Sequence, residues 1–385
     1  MSGTAAPSPS RLIALASGGT GGHMYPAEAL AEALIRLGFA VALVTDRRGQ
    51  AFTVAGGAVA VHRIRASGLG DRSIARKLLG VLELGLGVID ARQLLKRLRP
   101  AVVVGFGGYA SVPTLAAATH LGMPTVLHEQ NAVLGRANRL LAPRATRIAT
   151  SFESVAGIKS ADRARVVATG NPVRAAVARI AGEPYPAPAP DGPISLLVTG
   201  GSQGARIFGR VVPAAAALLP EPLRRRLRIV QQCRQEDIEE ARRSYRELRM
   251  DALLQPFFAD LPERLAGAQL VISRAGASTV AELTAAGRPG ILVPYPHHSD
   301  DHQGANAQAL ENAGAAWVMR EPGFTAQALA ARLEPLFAMP GRLTEMAAKA
   351  RALAHVDAAE RLARLVLALA PANGNHHGNG REKAA

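Results

Sequence analysis

Two short glycine-rich segments stand in matching contexts about half a chain apart. Residues 18–22 (GGTGG) follow the apolar run 12–16, and residues 200–204 (GGSQG) follow the apolar run 194–198. Each segment then enters a stretch with helical periodicity. A buried strand that ends in a glycine turn and opens a helix exposes backbone N–H groups at the positive end of the helix dipole, where phosphate binds. Two such turns predict two nucleotide-binding folds that face each other across a cleft.

A histidine and two polar clusters lie close to the first glycine turn or at equivalent positions in the predicted sheet. His23 directly follows the turn, and its imidazole is suited to proton transfer near neutral pH; a purely structural histidine is the alternative. The clusters at 107–111 (GGYAS) and 128–131 (HEQN) each follow a predicted strand. Because the carboxyl ends of parallel strands meet at one edge of a sheet, we expect both clusters to open onto the same cleft as His23.

The second half carries its own polar segments after predicted strands. Residues 273–282 (SRAGASTVAE) lead into a helix that ends at Gly287, and Glu282 lies just inside that helix. A carboxylate at such a turn can accept hydrogen bonds from both ribose hydroxyls, although a glutamate that stabilises the helix dipole is the alternative. The loop 294–306 holds three histidines and two aspartates within six residues, but without regular metal-ligand spacing. The chain has no Asp-x-Asp, so we expect no metal, and diphosphate charge would fall to helix N-termini and to Arg174 or Arg274.

Alternating strands and helices organise the chain on both sides of a proline-rich boundary. Five prolines in residues 183–193 exclude a helix or a central strand, so residues 181–193 are predicted to be a stiff linker. We expect a first Rossmann-like domain at 11–180, a second at 194–356, a C-terminal helix at 357–370, and disordered ends at 1–10 and 371–385. The predicted strands are 12–16, 39–45, 58–64, 101–106, 124–128, 147–150, 165–168, 194–198, 227–232, 252–257, 270–273, 290–293 and 315–319.

The positive charge is concentrated in the first half. Residues 1–180 carry 22 Lys and Arg against 9 Asp and Glu, whereas residues 181–385 carry 23 against 21. This asymmetry favours a polyanionic partner for the first domain, either nucleic acid or an anionic membrane surface; an arginine-rich composition without a specific partner is the alternative. The segment 72–99 is basic at both ends and apolar between, which suits an interfacial helix; a core helix is the alternative, and Gly85 and Gly87 weaken any continuous helix.

Other classes of protein are less consistent with the composition. The single cysteine, Cys233, excludes an internal disulfide framework. Residues 101–127 lack charged side chains, but glycines and prolines divide them into strand, turn, helix and strand, so we interpret them as interior rather than as a membrane span. Aromatic residues make up 4% of the chain and no nucleic-acid module is recognisable, so we expect no nucleic-acid partner.

Taken together, the motifs resemble the MurG family, the N-acetylglucosaminyltransferases of peptidoglycan synthesis. The blocks that carry the resemblance occur in the family's order through residues 11–320 and are GGTGGH at 18–23, GFGGYAS at 105–111, HEQN at 128–131, TGNPVR at 169–174, GGSQGAR at 200–206, SRAGASTVAE at 273–282 and HQGANA at 302–307. The resemblance implies the GT-B fold, that is, two Rossmann-like α/β domains with parallel sheets facing across a cleft. It also implies metal-independent, inverting transfer from UDP-N-acetylglucosamine to the C4 hydroxyl of undecaprenyl-diphospho-N-acetylmuramoyl-pentapeptide (lipid I), with no cofactor.

The resemblance also implies roles for individual residues. His23 would be the general base, with Glu129 as a rival. Gln303 would bind the sugar hydroxyls, although His302 stands where some relatives carry a first glutamine. The other substrate-binding residues implied are Thr20, Gly21, Gly22 and Asn131 for the sugar and acceptor, Arg174 and Ser202 for the diphosphate, Phe258 for uracil, and Ala277, Ser278, Thr279, Val280, Ala281 and Glu282 for the nucleoside.

The family's partners and location follow from the same resemblance. It implies a peripheral enzyme on the cytoplasmic side of the bacterial inner membrane, docked through residues around 72–99, and leaves association with other cell-wall synthesis proteins open. A dinucleotide-dependent oxidoreductase is the main alternative from another class, favoured by Asp46 after the second strand. Met24 occupies the position where its third glycine would be needed, and the second glycine turn would have no role. A sugar-nucleotide epimerase or another glycosyltransferase of the same fold is a closer alternative.

Overall fold

The computed structural model describes residues 12–18, 21–46, 59–66, 74–201, 204–296 and 300–371. The ends predicted to be disordered lie outside these ranges except for Pro371. Thr20 and Ser202 also lie outside the described residues, as do residues 297–299 of the polar loop.

The first half is built on a parallel sheet of seven strands in the order β3-β2-β1-β4-β5-β6-β7. Its strands are short apolar runs, buried from both faces except at the edges, as a parallel sheet covered by helices requires. They are β1 (Leu12–Ala16), β2 (Ala40–Thr45), β3 (Ala60–Arg63), β4 (Val102–Gly105), β5 (Thr125–Glu129), β6 (Arg147–Thr150) and β7 (Val166–Ala168). The helices between them are α1 (Gly21–Arg36), α2 (Ile74–Leu98), α3 (Ser111–His120) and α4 (Arg136–Leu141).

The second half repeats this design with six parallel strands in the order β10-β9-β8-β11-β12-β13. The strands are β8 (Ile194–Thr199), β9 (Leu227–Gln232), β10 (Ala252–Gln255), β11 (Leu270–Ser273), β12 (Gly290–Leu292) and β13 (Ala316–Val318). The helices are α5 (Ala175–Ile180), α6 (Arg206–Leu218), α7 (Glu221–Arg226), α8 (Ile238–Glu247), α9 (Leu261–Gly267), α10 (Ala277–Ala286), α11 (His302–Asn312), α12 (Ala326–Ala338), α13 (Pro340–Ala352) and α14 (Ala358–Leu367). All thirteen predicted strands are present, and the predicted fold class is confirmed.

In both sheets the strand order reverses beside the first strand of the half. β1 lies between β2 and β4, and β8 lies between β9 and β11. The loops after these neighbouring strands leave in opposite directions, which opens a crevice at the carboxyl edge of the sheet. β1 and β8 both end at this reversal, so the topology places the start of each glycine turn at a crevice of the kind where parallel sheets bind ligands.

Two helices pack against the half of the molecule to which their sequence position does not assign them. α5 precedes the linker 181–193, yet it packs against α9 and α10, and its Ile180 joins an apolar cluster of the second half. α14 follows the second half, yet Leu362 and Val366 are buried in the core of the first half. We therefore place the structural boundary before α5 rather than at residue 180. The linker itself forms no helix or strand.

α2 is continuous through both of its glycines, contrary to our expectation that they would weaken it. Gly87 lies so close to the neighbouring chain that an added Cβ would stand 2.0 Å from the carbonyl oxygen of Arg65. The glycine therefore permits a close approach, and tertiary packing offsets its low helix propensity. Within the described residues, no helix combines the length and the apolar character needed to cross a bilayer.

Candidate active site

A cavity of about 590 Å³ opens where the two halves meet. Gly21, Gly22 and Tyr25 of α1 line one side, and the loops after β8 and β11 line the other. Of the candidate binding residues, Arg174, Phe258, Ala277, Ser278, Thr279, Glu282 and Gln303 all lie on its wall. The lining residues Gly21 and Gln303 are more than 280 positions apart in the chain, and the fold brings them together at this cavity.

The second glycine turn is held in shape by Gln232 at the end of β9. Its Oε1 accepts hydrogen bonds from the Gly200 N–H and from Thr199, both at 3.0 Å, and its Nε2 donates to the Gly201 carbonyl at 2.9 Å. An added Cβ on Gly200 would lie 2.2 Å from the Ala205 nitrogen, and Gly201 has a φ of 76°. Glycine is therefore required at positions 200 and 201, which present backbone to the cavity.

The N-terminus of α10 forms the neighbouring part of the wall. Ala277, Ser278 and Thr279 occupy its first turn, and no side chain caps that end of the helix. Free N–H groups at a helix start suit a phosphate. Val280 and Ala281 do not line the cavity, because the helical period turns them into the apolar interior. Their predicted contact with the nucleoside is therefore not made by side chains in this arrangement.

Glu282 and Arg174 meet on the cavity wall as a bidentate ion pair. Arg174 donates from Nε to Oε1 at 2.8 Å and from its terminal nitrogen to Oε2 at 3.0 Å. The guanidinium also lies over the Tyr25 ring, 4.7 Å from its centre. The pair thus joins α10 to α1, and Tyr25 is a residue that the sequence reasoning missed.

Arg274, the other arginine considered for the diphosphate, also lines the cavity, but its guanidinium is bonded to neighbouring groups. It forms an ion pair of 2.6 Å with Glu321 and donates to the carbonyl oxygens of Val293 and Pro294. This arrangement favours a structural role for Arg274. Phe258 is buried in the wall, and its neighbour Phe257, which the sequence reasoning also missed, is 62% exposed at the same wall.

Gln303 is oriented by two backbone donors. Its Oε1 accepts from the Ala275 N–H at 3.2 Å and from the Tyr295 N–H at 3.0 Å. Since the oxygen is occupied, a sugar hydroxyl would bind at the amide nitrogen. Among the described residues, no group of three or more histidine, cysteine, aspartate or glutamate side chains is arranged to hold a metal ion.

His23 lies beside the cavity, in the first turn of α1, but not on the wall itself. Its Nδ1 is 3.2 Å from Oε1 of Gln130. Both Gly107 and Gly108 have positive φ, and an added Cβ on either would lie 3.3–3.4 Å from the imidazole ring. Desolvation lowers the pKa of His23, opposed by the nearby charge of Glu129, so the neutral imidazole prevails at neutral pH.

Glu129 is almost fully buried, and four N–H donors engage its carboxylate. The Asn131 N–H and side-chain amide donate to Oε1 at 2.9 and 3.1 Å, and the Gly135 N–H and the Asn138 amide donate to Oε2 at 2.9 and 2.7 Å. Glu129 therefore shapes the loop that carries Asn131. This geometry leaves it less suited than His23 to take a proton from a substrate.

Asn131 is joined to the second half through Asn306, which the sequence reasoning placed in a motif without a role. Asn306 is fully buried, donates to Asn131 Oδ1 at 3.0 Å and to the Ala275 carbonyl at 3.1 Å, and accepts from the Ala132 N–H at 2.8 Å. The sequence signal that could have identified Asn306 is its position in the first turns of α11, directly after a polar loop. Asn306 connects the loops after β5 and β11 directly.

Two family models match the chain. They are the glycosyltransferase family 28 N-terminal domain over residues 13–150 and the glycosyltransferase family 28 C-terminal domain over residues 195–362. These ranges contain the two parallel sheets described above except for β7 and for the first residues of β1 and β8, Leu12 and Ile194.

Curated relatives extend the similarity over nearly the whole chain. A UDP-N-acetylglucosamine--N-acetylmuramyl-(pentapeptide) pyrophosphoryl-undecaprenol N-acetylglucosamine transferase from Rhodospirillum centenum is 58% identical over 93% of this chain and 94% of its own length. The protein of the same name from Paramagnetospirillum magneticum is 57% identical over 94% of this chain and 97% of its own length.

Solved structures agree with the observed architecture. The crystal structure of Acinetobacter baumannii MurG matches with a TM-score of 0.74 and 29% identity, covering 93% of this chain and 99% of that one. The glycotransferase of kitacinnamycin matches with a TM-score of 0.64 at 16% identity, over 94% and 99% of the two chains, which bears on the fold alone. From the site, the family models and these relatives, the chain belongs to the MurG family of N-acetylglucosamine transferases within glycosyltransferase family 28.

Proposed function

We propose that the cleft transfers N-acetylglucosamine from UDP-N-acetylglucosamine to the C4 hydroxyl of lipid I by a single inverting displacement, with His23 as the base. Membership of the family makes the protein a UDP-N-acetylglucosamine-dependent glycosyltransferase of peptidoglycan synthesis. The observation that carries the proposed mechanism is one interdomain cavity with an uncapped helix start and an acidic residue on its wall and a neutral histidine directly beside it.

The donor nucleotide would lie against the second half. The N-terminus of α10 and the turn at Gly200 and Gly201 would receive the diphosphate through backbone N–H groups, and Ser202 would add its hydroxyl. Glu282 would accept the ribose hydroxyls, and Phe258 would offer its main chain to uracil. Each oxygen of Glu282 accepts one hydrogen bond from Arg174, so a second lone pair on each oxygen can receive a hydroxyl.

Arg174 would serve two groups at once. Its guanidinium already neutralises Glu282 and lies on the cavity wall. A guanidinium has five N–H donors, and two are used on Glu282, so the remaining donors can face the diphosphate. Charge on the departing UDP would then be stabilised by a fixed group in the cleft, without a metal ion.

The transferred sugar would lie between the halves. Gln303 would donate to its hydroxyls from the second half, and Thr20, Gly21, Gly22 and Asn131 would contact the sugar and acceptor from the first. The oxygen of the acceptor C4 hydroxyl attacks the sugar C1, the bond from C1 to the phosphate oxygen breaks, and UDP leaves with the electron pair. The hydroxyl proton passes to His23, whose neutral form is favoured by its lowered pKa.

The first half would also bind the membrane that carries the acceptor. On α2 the side chains of Val81, Leu82 and Ile89 are 54–63% exposed. Arg92 and Lys96 follow at spacings of three and seven residues from Ile89 and are also exposed, so they continue this helical face. An apolar stretch flanked by basic side chains suits an anionic bilayer, here the cytoplasmic face of the inner membrane.

The test is transfer of radiolabelled N-acetylglucosamine from UDP-N-acetylglucosamine to a soluble lipid I analogue, with and without EDTA. We expect a disaccharide product with inverted anomeric configuration and an equal rate in EDTA. An acceptor whose C4 hydroxyl is replaced by hydrogen is the matched control and should give no product. Product formation with that control, or a rate abolished by EDTA, would contradict the proposed reaction.

A further inference from the structure

The orientation of the Gln130 amide follows from its surroundings. Its Nε2 lies 2.9 Å from the Phe106 carbonyl oxygen and 3.1 Å from the His128 carbonyl oxygen, and both of these groups can only accept. The amide nitrogen must therefore face them, because an oxygen there would be repelled by both. The amide oxygen consequently faces His23.

This orientation selects one tautomer of His23. Oε1 of Gln130 accepts hydrogen bonds and cannot donate one, so Nδ1 of His23, at 3.2 Å, carries the proton. A neutral imidazole has one N–H, and Nε2 is then left with its lone pair. The other tautomer, with hydrogen on Nε2, could not accept a proton at that nitrogen.

A second buried histidine fixes Gln130 from the far side. His128 Nδ1 lies 2.9 Å from Gln130 Nε2, and His128 Nε2 lies 3.2 Å from the Gly170 carbonyl oxygen. His128 therefore donates from Nε2 and accepts at Nδ1. Burial lowers its pKa to about 4, so this neutral form persists at neutral pH. Hydrogen bonds thus run in one direction from His23 through Gln130 and His128 to a backbone carbonyl.

We propose that Gln130 is a positioning residue for His23: its amide oxygen holds the imidazole as the Nδ1–H tautomer and so keeps the Nε2 lone pair available for the proton of the acceptor hydroxyl. The inference rests on the base role proposed for His23 above. In the transfer step the proton leaves the hydroxyl and binds Nε2, and the resulting imidazolium keeps its Nδ1–H bond to Gln130. An amide supplies this orientation without adding a negative charge beside the base.

The tautomer can be read directly by two-bond ¹H–¹⁵N correlation spectra of the full chain labelled with ¹⁵N-histidine. His23→Ala assigns the His23 signals by their loss. In the unaltered protein at pH 7.5 we expect His23 Nε2 to show the chemical shift of an unprotonated nitrogen and Nδ1 that of a protonated one. The reverse pattern would overturn the inference whatever the activity of any variant.

Two variants at position 130 separate orientation from general damage. Gln130→Met keeps the length of the side chain but accepts no comparable hydrogen bond, so protonated Nε2 should appear and kcat should fall roughly ten- to a thousandfold, with little change in donor binding. Gln130→Glu retains an acceptor for Nδ1–H, so the tautomer should persist. A Gln130→Met protein with unchanged tautomer and kcat would overturn the inference.

Gln231→Met is the matched control, because Gln231 is fully buried in the second half and bonds to the hydroxyl of Tyr245 at 2.7 Å. It should leave the His23 spectrum and kcat unaltered. Near-normal turnover of His23→Ala would refute the base role alone, since the tautomer measured in the unaltered protein would stand. Loss of turnover in His23→Ala together with protonated Nε2 in the unaltered protein would refute the role of Gln130 alone.

Discussion

The two glycine turns begin from the same local pattern and end in different polar environments. Behind the second turn, Gln232 satisfies the backbone of the loop itself, and the uncapped start of α10 and the Glu282 carboxylate face an open cavity. Beside the first turn, His23, Gln130 and His128 bond to one another and to backbone carbonyls, and they do not line the cavity. The same supersecondary unit can therefore hold a ligand in one copy and orient a reacting group in the other.

This difference predicts which kinetic quantity each half controls. Groups that contact a nucleotide in its ground state mainly change donor affinity, whereas a base acts in the transition state and mainly changes kcat. Variants in the second half should therefore change mainly donor affinity, and variants in the first half should change mainly kcat. Variants that alter both quantities equally would remove the distinction between the halves.

The largest effect is expected for His23→Ala. Loss of the base should lower kcat by about a hundred- to ten-thousandfold. Affinity for UDP, measured by calorimetry, should change less than threefold, because His23 is not on the cavity wall. Glu129→Gln is the comparison variant, since it keeps the shape of the rival carboxylate. If Glu129→Gln abolished turnover while His23→Ala remained active, the base would have to be reassigned.

A second prediction concerns acid stability of the first half. The pKa of His128 is lowered to about 4 by burial, from about 6.5 in the unfolded chain. Below pH 6.5 the unfolded chain therefore binds a proton that the folded chain does not, and stability falls until about pH 4. The loss attributable to His128 is about 3 kcal/mol, and His23 acts in the same direction.

Calorimetric unfolding between pH 4 and 7 measures this loss. His128→Leu should be less stable at pH 7, because Gln130 and Gly170 lose a partner, but its stability should depend less on pH. An equally steep pH dependence in His128→Leu would show that other groups cause the acid destabilisation.

The strands could be predicted from the sequence because apolar periodicity is a local property, whereas most cavity residues were predicted from the resemblance to the family. Apolar runs and glycine turns mark β1 and β8, and the matching motifs identify Glu282, Arg174 and Gln303. The pairing of Arg174 with Glu282, the hydrogen bond of Asn306 to Asn131 and the packing of α14 on α1 depend on contacts between residues 108 to more than 300 positions apart. No periodicity in the chain specifies such contacts. One sequence signal could have indicated the role of Gln130. Side chains alternate along a strand, so Gln130 is expected on the same side as His128.

In the second half, Glu282→Ala should weaken UDP binding about ten- to a hundredfold while kcat at saturating donor changes little, since one or two charge-assisted hydrogen bonds are lost. Titration with UDP and with 2′-deoxy-UDP distinguishes the ribose role from a structural one. The unaltered protein should prefer UDP, and the variant should bind both nucleotides alike. Arg174→Gln is the control for loss of the ion pair and should keep the preference for UDP. A preference that survives in Glu282→Ala would place the ribose elsewhere.

The smallest effect is expected on α2 of the first half, the half that carries most of the excess positive charge. Replacing Val81, Leu82 and Ile89 together by serine should lower binding to vesicles containing anionic phosphatidylglycerol about tenfold, because these exposed side chains would enter the interface. Turnover of a soluble acceptor analogue should persist.

The matched control replaces Leu218, Leu253 and Met339, exposed apolar residues of the second half, by serine. If both triple variants lost vesicle binding equally, or neither did, Val81, Leu82 and Ile89 would have no specific part in membrane binding, and the excess of thirteen positive charges in residues 1–180 would be left as the attraction to the vesicle. Flotation at increasing salt would then measure that electrostatic part by itself, because screening weakens charge attraction but not apolar insertion.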